Sequence, residues 1–116
     1  MSRNLLDKAM SEKELQDWCE SLLTLNGWRW YHVNNSRWDK PGFPDLCCTD
    51  GKRLMFLELK RQNGKVRPDQ QVWLTLLTAV ADTVNKAVGY EIMIVRLWRP
   101  SDRDEIERIV YGRSKP

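Results

Sequence analysis

The feature that most constrains the fold is a run of four apolar residues, Leu54-Met55-Phe56-Leu57, inside a segment with the composition of a β-strand. Successive side chains of a strand point to opposite faces of its sheet, so this strand is apolar on both faces. A strand of that kind belongs in the interior of a sheet that is covered on both sides. The sequence therefore predicts a central strand with helices packed on either face of its sheet, which is an α/β architecture.

Helical patterns occur on both sides of this strand along the chain. Ser11 and Glu14 have the spacing of a capping box, and apolar residues follow at helical spacing until Asn26-Gly27. Pro68 suits the first turn of a second helix. The apolar face predicted for that second helix consists of Val72, Trp73, Leu76, Leu77 and Val80.

The other strands are predicted from β-forming residues bounded by turn signals. They are Trp28–Val33, Phe43–Thr49, Lys52–Lys60 and Tyr90–Trp98. Asp50-Gly51 is predicted to form a two-residue hairpin turn, Arg99–Tyr111 a last helix, and residues 1–10 a loosely ordered leader or a short helix. The element order α-β-β-β-α-β-α predicts a single domain over residues 1–116, with helices flanking a central mixed four-stranded sheet.

Composition narrows the class of protein. A length of 116 residues suits one domain, and 41% apolar with 30% charged residues is typical of folded proteins. No apolar run approaches the roughly 18 residues of a membrane span, and the first ten residues lack the apolar core of a signal peptide. We therefore expect a cytoplasmic protein with reduced, mostly buried cysteines, no membrane partner and no small-molecule cofactor.

The candidate catalytic residues lie on the second and third predicted strands. Glu58 and Lys60 are two residues apart, so they share one face of their strand. A two-residue turn at Asp50-Gly51 pairs Asp45 with Phe56. Glu58 is then the diagonal neighbour of Asp45 on the same face, about 7–8 Å away. A turn with one more residue would move Asp45 to the opposite face, so the parity of the hairpin decides whether the two acids meet.

Two carboxylates on one face of an apolar strand pair need a partner. A hard divalent cation would satisfy both, and Mg²⁺ or Mn²⁺ suits oxygen ligands better than Zn²⁺ does. Lys60 would orient an attacking water and stabilise the charge that develops on a phosphate. We therefore predict a metal-dependent phosphodiesterase centre at Asp45, Glu58 and Lys60. The alternative is a half-buried ion pair between Lys60 and Glu58, with Asp45 capping a turn.

Three further residues are candidates for the same site. A third acid is expected from the first helix, where Glu12 lies about 60° and Glu14 about 100° from the centre of the apolar arc. We assign Glu12 to the site and Glu14 to the cap, and the reverse assignment is the alternative. Gln70 either hydrogen-bonds a phosphate or Lys60, or is a solvated first-turn residue. His32, the only histidine, is either a core or edge residue or a phosphate contact.

The placement of charge is more informative than the net charge of +3. The segment 59–68 contains four basic residues and no acidic one. In the segment 28–40, basic residues are interspersed with aromatic ones. Such segments bind phosphates and stack on bases. The candidate nucleic-acid-binding residues are Arg61, Lys65, Arg67, Arg37 and Lys40. The alternatives are a solvated loop and an aromatic cluster that packs in the core or against a second subunit.

The ordered set of motifs resembles one nuclease family. The motifs are Glu12-Lys-Glu-Leu-Gln16, Gly42-Phe-Pro-Asp-Leu46, Glu58-Leu-Lys60 and Pro68-Asp-Gln70. Together they resemble the VRR-NUC (virus-type replication-repair nuclease) family of the PD-(D/E)xK nucleases, over residues 11–98. The resemblance implies a restriction-endonuclease-like core, dependence on Mg²⁺ or Mn²⁺, and kinship with Holliday-junction resolvases.

The resemblance also implies a role for each residue of the site. Asp45, Glu58 and the backbone carbonyl of Leu59 would be metal ligands, Lys60 the catalytic lysine, and Glu12 (or Glu14) and Gln70 the helix acid and the family glutamine. It further implies a homodimer in the cytoplasm of a bacterium, or of the host of a phage. We expect a DNA endonuclease that acts on branched structures such as four-way junctions or flaps. The alternatives are a non-catalytic DNA-binding module on the same fold and an RNA-cleaving nuclease.

Overall fold

A computed structural model describes residues 3–33 and 41–112 of the chain. The helices are α1 (Arg3–Ala9), α2 (Glu12–Leu25), α3 (Pro68–Val88) and α4 (Arg103–Tyr111), and a 3₁₀ turn, Pro100–Asp102, precedes α4. The strands are β1 (Arg29–His32), β2 (Leu46–Thr49), β3 (Leu54–Leu59) and β4 (Met93–Trp98). Apart from α1, this order is the predicted one.

The strands form one mixed sheet in the order β1-β2-β3-β4. The β1–β2 and β2–β3 pairs are antiparallel, and β3 and β4 are parallel because α3 connects them. The α/β fold with a mixed four-stranded sheet is therefore confirmed. Helices α2 and α4 cover one face of the sheet, and α3 covers the other face with a smaller apolar cluster. The prediction that β3 is an interior strand covered on both faces is thus correct.

Local signals determine where α2 begins and ends. The Ser11 hydroxyl accepts a hydrogen bond from the Glu14 backbone N–H at 3.0 Å, and the Glu14 carboxylate accepts one from the Ser11 N–H at 2.8 Å. This is the predicted capping box. The helix ends at Leu25 with Asn26 as its C-cap, and Gly27 follows with a φ of 81° that glycine adopts without strain.

The first residues form a helix rather than a loosely ordered leader. Asp7 of α1 is buried and lies 2.6 Å from the guanidinium of Arg103 at the start of α4. Arg3 makes a second, exposed ion pair with Asp104 at 3.3 Å. Of the two alternatives for residues 1–10, the short helix is the correct one over residues 3–9. No helix in the described ranges is both long enough and apolar enough to cross a membrane.

The hairpin between β2 and β3 differs from its prediction. Thr49 pairs with Leu54, so the connection has the four residues 50–53 instead of two. The Asp50 carboxylate accepts the backbone N–H groups of Lys52 and Arg53 at 2.9 and 2.8 Å, which stabilises the longer loop. The pairing register shifts by two residues, an even number, so every side chain keeps its predicted face.

The packed face of α3 agrees with the prediction only in part. Trp73 and Leu77 are half-buried as predicted, and Leu77 packs against the smaller apolar cluster. Val72, Leu76 and Val80 are 58%, 60% and 52% exposed, whereas Leu74 and Ala81 are buried. The segment from residue 70 to residue 81 contains no charged residue, so its apolar residues surround the helix and do not distinguish one face. Buried Gln70 begins the packed face instead, and its position is set by the site described below.

Candidate active site

The hairpin brings the two predicted metal-binding acids together. Leu46 pairs with Leu57, and the same register continued by one residue places Asp45 beside Glu58. The acids are therefore direct cross-strand neighbours rather than the predicted diagonal ones. Asp45 precedes β2, and its Oδ2 accepts the Leu59 backbone N–H at 2.8 Å. This bond ties the Asp45 carboxylate to the strand that carries the other site residues.

The loop before Asp45 packs against the start of α3. Gly42 has a φ of 96°, and a Cβ at this position would lie 2.6 Å from the carbonyl oxygen of Asp69. Only glycine allows so close an approach of the two backbones. Phe43 then makes edge contacts with Trp73 and Phe56 at ring-centroid distances of 4.9 and 5.8 Å. The Gly-Phe-Pro-Asp motif therefore joins α3 to the sheet at the site.

Glu58 is the buried centre of this arrangement, with an exposed fraction of 1%. Its Oε2 accepts a hydrogen bond from Gln70 Nε2 at 2.8 Å and lies 3.8 Å from Lys60 Nζ. Its other oxygen, Oε1, is buried and has no hydrogen-bond partner among the described residues. A buried carboxylate oxygen without a donor is costly, so the described protein atoms leave one ligand position of Glu58 unsatisfied.

The pKa of Glu58 also shows that its ionised form is poorly stabilised by the described protein atoms. The pKa of Glu58 is raised from 4.5 to about 8, chiefly by burial and then by the negative charge of Asp45, against the opposing charge of Lys60. A proton retained between the Glu58 and Asp45 carboxylates and the negative charge of Glu12 also raise this pKa. If both carboxylates were ionised, the site would hold more negative charge than Lys60 neutralises, so Glu58 retains its proton near neutral pH. A bound cation would relieve that cost and allow Glu58 to ionise.

Lys60 and Gln70 both approach Oε2 of Glu58. Lys60 is 7% exposed, and its backbone N–H donates to the Trp98 carbonyl at 3.0 Å, one residue beyond β3. Gln70 Oε1 accepts the Arg67 N–H at 3.0 Å while its amide nitrogen donates to Glu58. Gln70 is thus buried, and it contacts the carboxylate instead of Lys60. The interpretation of Gln70 as a solvated first-turn residue is wrong.

The two candidate helix acids have different surroundings. Glu14 is bonded to the Ser11 backbone, as expected of a capping residue. Glu12, the first residue of α2, is exposed, and its charge contributes to the raised pKa of Glu58. Of the two acids, Glu12 is therefore the one whose charge acts on Glu58, while Glu14 caps the helix. His32 lies half-buried on the edge strand β1.

The basic and aromatic candidates fall into two groups. Arg61, Lys65 and Arg67 are exposed on the loop between β3 and α3, which begins directly after Lys60. Arg37 and Lys40 lie outside the described residues. Trp28 is a core residue, since it is buried and its Nε1 donates to the Val110 carbonyl at 2.9 Å. Stacking of Trp28 on a nucleic-acid base is therefore excluded in this structure.

The donor set fits a hard cation. Nowhere in residues 3–33 and 41–112 do three side chains of the types His, Cys, Asp and Glu form a metal-binding group. The site offers instead two adjacent carboxylates, Asp45 and Glu58. Mg²⁺ and Mn²⁺ accept such a site because they keep several waters, whereas structural zinc requires four protein ligands. The free oxygen of Glu58 is the observation that a cation at this position would explain.

The cysteines are structural. Cys19 and Cys48 are buried in the larger core, and burial raises the pKa of each thiol to about 12. Burial also raises the pKa of the half-buried Cys47. Thiols of this kind are poor nucleophiles and poor metal ligands near neutral pH. They therefore add no second candidate centre to the described part of the chain.

A comparison of the chain with protein-family models, curated proteins and solved structures finds no match. The functional argument therefore depends on the residues and contacts of this chain. Four predicted site residues, Asp45, Glu58, Lys60 and Gln70, converge within one strand pair and one helix start. The chemistry of that group is the basis of the proposal that follows.

Proposed function

We propose that this protein is a divalent-cation-dependent nuclease that hydrolyses phosphodiester bonds in DNA. The observation that carries the proposal is the buried, unpartnered Oε1 of Glu58 beside the carboxylate of Asp45. Asp45, Glu58 and the Leu59 carbonyl would hold Mg²⁺ or Mn²⁺. When bound, the cation would polarise the phosphate and lower the pKa of an attacking water.

The residues around the acids have complementary roles in this proposal. Lys60 orients the attacking water and stabilises negative charge on the phosphate, because its ammonium is held beside Glu58 in a dry environment. Gln70 fixes the orientation of the Glu58 carboxylate through Oε2 and leaves Oε1 available. Glu12 adds a third acid at the exposed rim. Each of these residues would act without leaving its observed position.

The proposed substrate is nucleic acid because the basic loop starts at the site itself. Exposed cations at Arg61 and Lys65 would contact phosphates next to the scissile one. We further propose a restriction-endonuclease-like core, membership of the VRR-NUC family, and branched DNA as the substrate, cut by a homodimer. Free, buried thiols fit a reducing compartment, and we therefore propose a cytoplasmic location.

A cleavage assay tests the proposal. Labelled four-way junction, flap, duplex and single-stranded DNA, and an RNA of the same sequence, are incubated with Mg²⁺, Mn²⁺ or EDTA. We expect cation-dependent cutting of branched DNA that Asp45→Asn and Lys60→Ala abolish. Asp82→Asn is the control, because Asp82 is an exposed acid on α3 outside the site.

The possible outcomes separate the alternative functions. An Asp45→Asn variant that cuts at the wild-type rate would show that the site is assigned wrongly. Tight, salt-dependent binding of DNA without cutting under either cation would instead support a DNA-binding module on this fold. Preferential cutting of RNA would keep the chemistry and change the substrate.

A further inference from the structure

The guanidinium of Arg99 lies on the inner side of the basic loop, residues 61–67. Its Nη1 approaches the carbonyl oxygens of Arg61, Gln62 and Gly64 at 2.9, 3.1 and 2.8 Å. One side chain therefore contacts three backbone carbonyls of a segment that has no helix or strand of its own. Each of these contacts restricts the conformations that the loop can adopt.

A second connection joins the same loop to the turn after β4. Gln62 Nε2 donates to the Ser101 hydroxyl at 3.0 Å, and Gln62 Oε1 accepts the Ser101 backbone N–H at 3.0 Å. The turn is itself fixed, since the Arg99 N–H donates to Asp102 Oδ2 at 2.8 Å. The basic loop is thus attached to the turn at Arg99 and at Ser101.

The position of Arg99 links the loop to the candidate active site. Leu59 pairs with Trp98 in the parallel register of β3 and β4, so the next residues, Lys60 and Arg99, are neighbours. The Lys60 N–H continues this ladder to the Trp98 carbonyl. Arg99 therefore fixes the chain at the point where it leaves the lysine and enters the basic loop.

This arrangement determines what the loop presents to solvent. Three of its carbonyls face Arg99, while the side chains of Arg61 and Lys65 are exposed. A loop that is ordered before binding does not lose that conformational freedom when a ligand binds, so its cations bind phosphates more tightly. The charge of Arg99 itself is directed at carbonyl oxygens of the protein.

We infer that Arg99 is a positioning residue that holds the basic loop ready to bind the phosphate backbone of nucleic acid beside Glu58 and Lys60. The inference rests on the proposed nuclease function, because it assigns the loop to that substrate. It adds a residue that contacts neither the cation nor the DNA in this proposal. Arg99 acts through the order of the loop, and the order of the loop can be measured without DNA.

Limited trypsin digestion without DNA measures that order, because the loop contains cleavage sites after Arg61 and Lys65. The same proteins are tested for binding to junction DNA in Ca²⁺, used here as a cation that supports binding without rapid cutting, and for kcat and KM in Mg²⁺. The variants are Arg99→Ala and Gln62→Ala. Arg96→Ala is the matched control, since it removes the same charge from β4 but its side chain contacts Glu91 and Glu105.

We expect trypsin to cut the loop of Arg99→Ala at least about tenfold faster than that of the wild type. We also expect the Arg99→Ala substitution to weaken DNA binding about tenfold. KM should rise more than kcat falls. Gln62→Ala should shift both measurements in the same direction by a smaller factor, although it changes no charge. Arg96→Ala should be digested by trypsin, and should bind DNA, as the wild type does.

Two results would overturn the inference. One is an Arg99→Ala loop that resists trypsin as the wild type does, and the other is a loosened loop with unchanged DNA affinity. A wild-type protein that binds no DNA would overturn both the inference and the nuclease proposal. Digestion without DNA separates that failure from a wrong role for Arg99, because it reports whether Arg99 orders the loop even when no DNA is bound. If circular dichroism shows that Arg99→Ala does not fold, Gln62→Ala takes its place in the test. Faster digestion of its loop together with weaker DNA binding would support the inference, and any other combination would overturn it.

Discussion

Replacing Glu58 with glutamine should stabilise the cation-free protein while it abolishes cleavage. Burial holds the pKa of Glu58 near 8 in the folded protein, compared with 4.5 for an ordinary glutamate. Near neutral pH the unfolded chain has therefore released a proton that the folded protein retains, and stability falls as the pH rises between these values. Glutamine is neutral at every pH, so the variant does not have this loss.

The size of the effect follows from the interval between the two pKa values. From pH 4.5 to pH 7, at about 1.4 kcal/mol per pH unit, the upper bound is about 3 kcal/mol of unfolding free energy. Asp45 is only half-buried, so solvent screens part of its repulsion of Glu58. We therefore expect Glu58→Gln to raise the free energy of unfolding at pH 7 by about 1–2 kcal/mol. For a domain of this size that is an increase of about 4–8 °C in Tm.

Thermal unfolding in EDTA between pH 4.5 and pH 8.5 measures this difference. The gain in Glu58→Gln should be smallest near pH 4.5, where about half of the glutamate in the unfolded chain is still protonated, and should grow up to about pH 8. Glu107→Gln on α4 is the control, and its Tm difference from the wild type should stay constant. A Glu58→Gln protein that is less stable than the wild type at pH 8 would refute the reasoning, because Glu58 would then be satisfied as an anion.

Three other predictions concern the cation, the motif glycine and the face of α3. Mg²⁺ at about 100 times its Kd at pH 8 should stabilise the wild type by about 2.7 kcal/mol at that pH but leave Asp45→Asn unchanged in thermal unfolding. The same Mg²⁺ concentration should stabilise the wild type less at pH 6, because binding requires ionised carboxylates. Gly42→Ala should destabilise the protein by about 1–3 kcal/mol more than Gly51→Ala in urea unfolding, because both glycines have a positive φ but only at Gly42 would the added Cβ meet another described atom within 4 Å; equal losses would mean that backbone strain alone matters. Leu74→Ala should cost about 2–4 kcal/mol and Leu76→Ala less than about 0.5, and the reverse order would contradict the observed packing of α3.

The fold was predictable because local patterns determine its elements. The capping box at Ser11 and Glu14, the glycine at the end of α2 and the doubly apolar β3 each depend on neighbours within a few residues. The length of the hairpin was not predictable from Asp50-Gly51, because Asp50 stabilises a longer loop through side-chain bonds. The acids still share a face, since the error in register is an even number.

The remaining errors involve contacts between distant parts of the chain. The apolar residues of α3 surround the helix, so its packed face depends on Gln70 reaching Glu58, twelve residues away. The role of Arg99 depends on a loop more than thirty residues earlier, and an arginine before a proline gives no sign of it. Residue types and their spacing thus predicted the acids, the lysine and Gln70 as site candidates, while the contact of Gln70 with Glu58 and the contacts of Arg99 required the three-dimensional structure.

The two hydrogen bonds of the Gln70 side chain connect the start of α3 with the Glu58 carboxylate. Its oxygen accepts the Arg67 N–H before α3, and its nitrogen donates to Glu58. Rotation of this amide away from the site would break both bonds in one event, freeing the Glu58 carboxylate and exposing the Arg67 N–H to water. The exchange rate of the Arg67 amide proton is therefore a built-in spectroscopic reporter of how often the carboxylate reorients, readable by NMR in the resting protein.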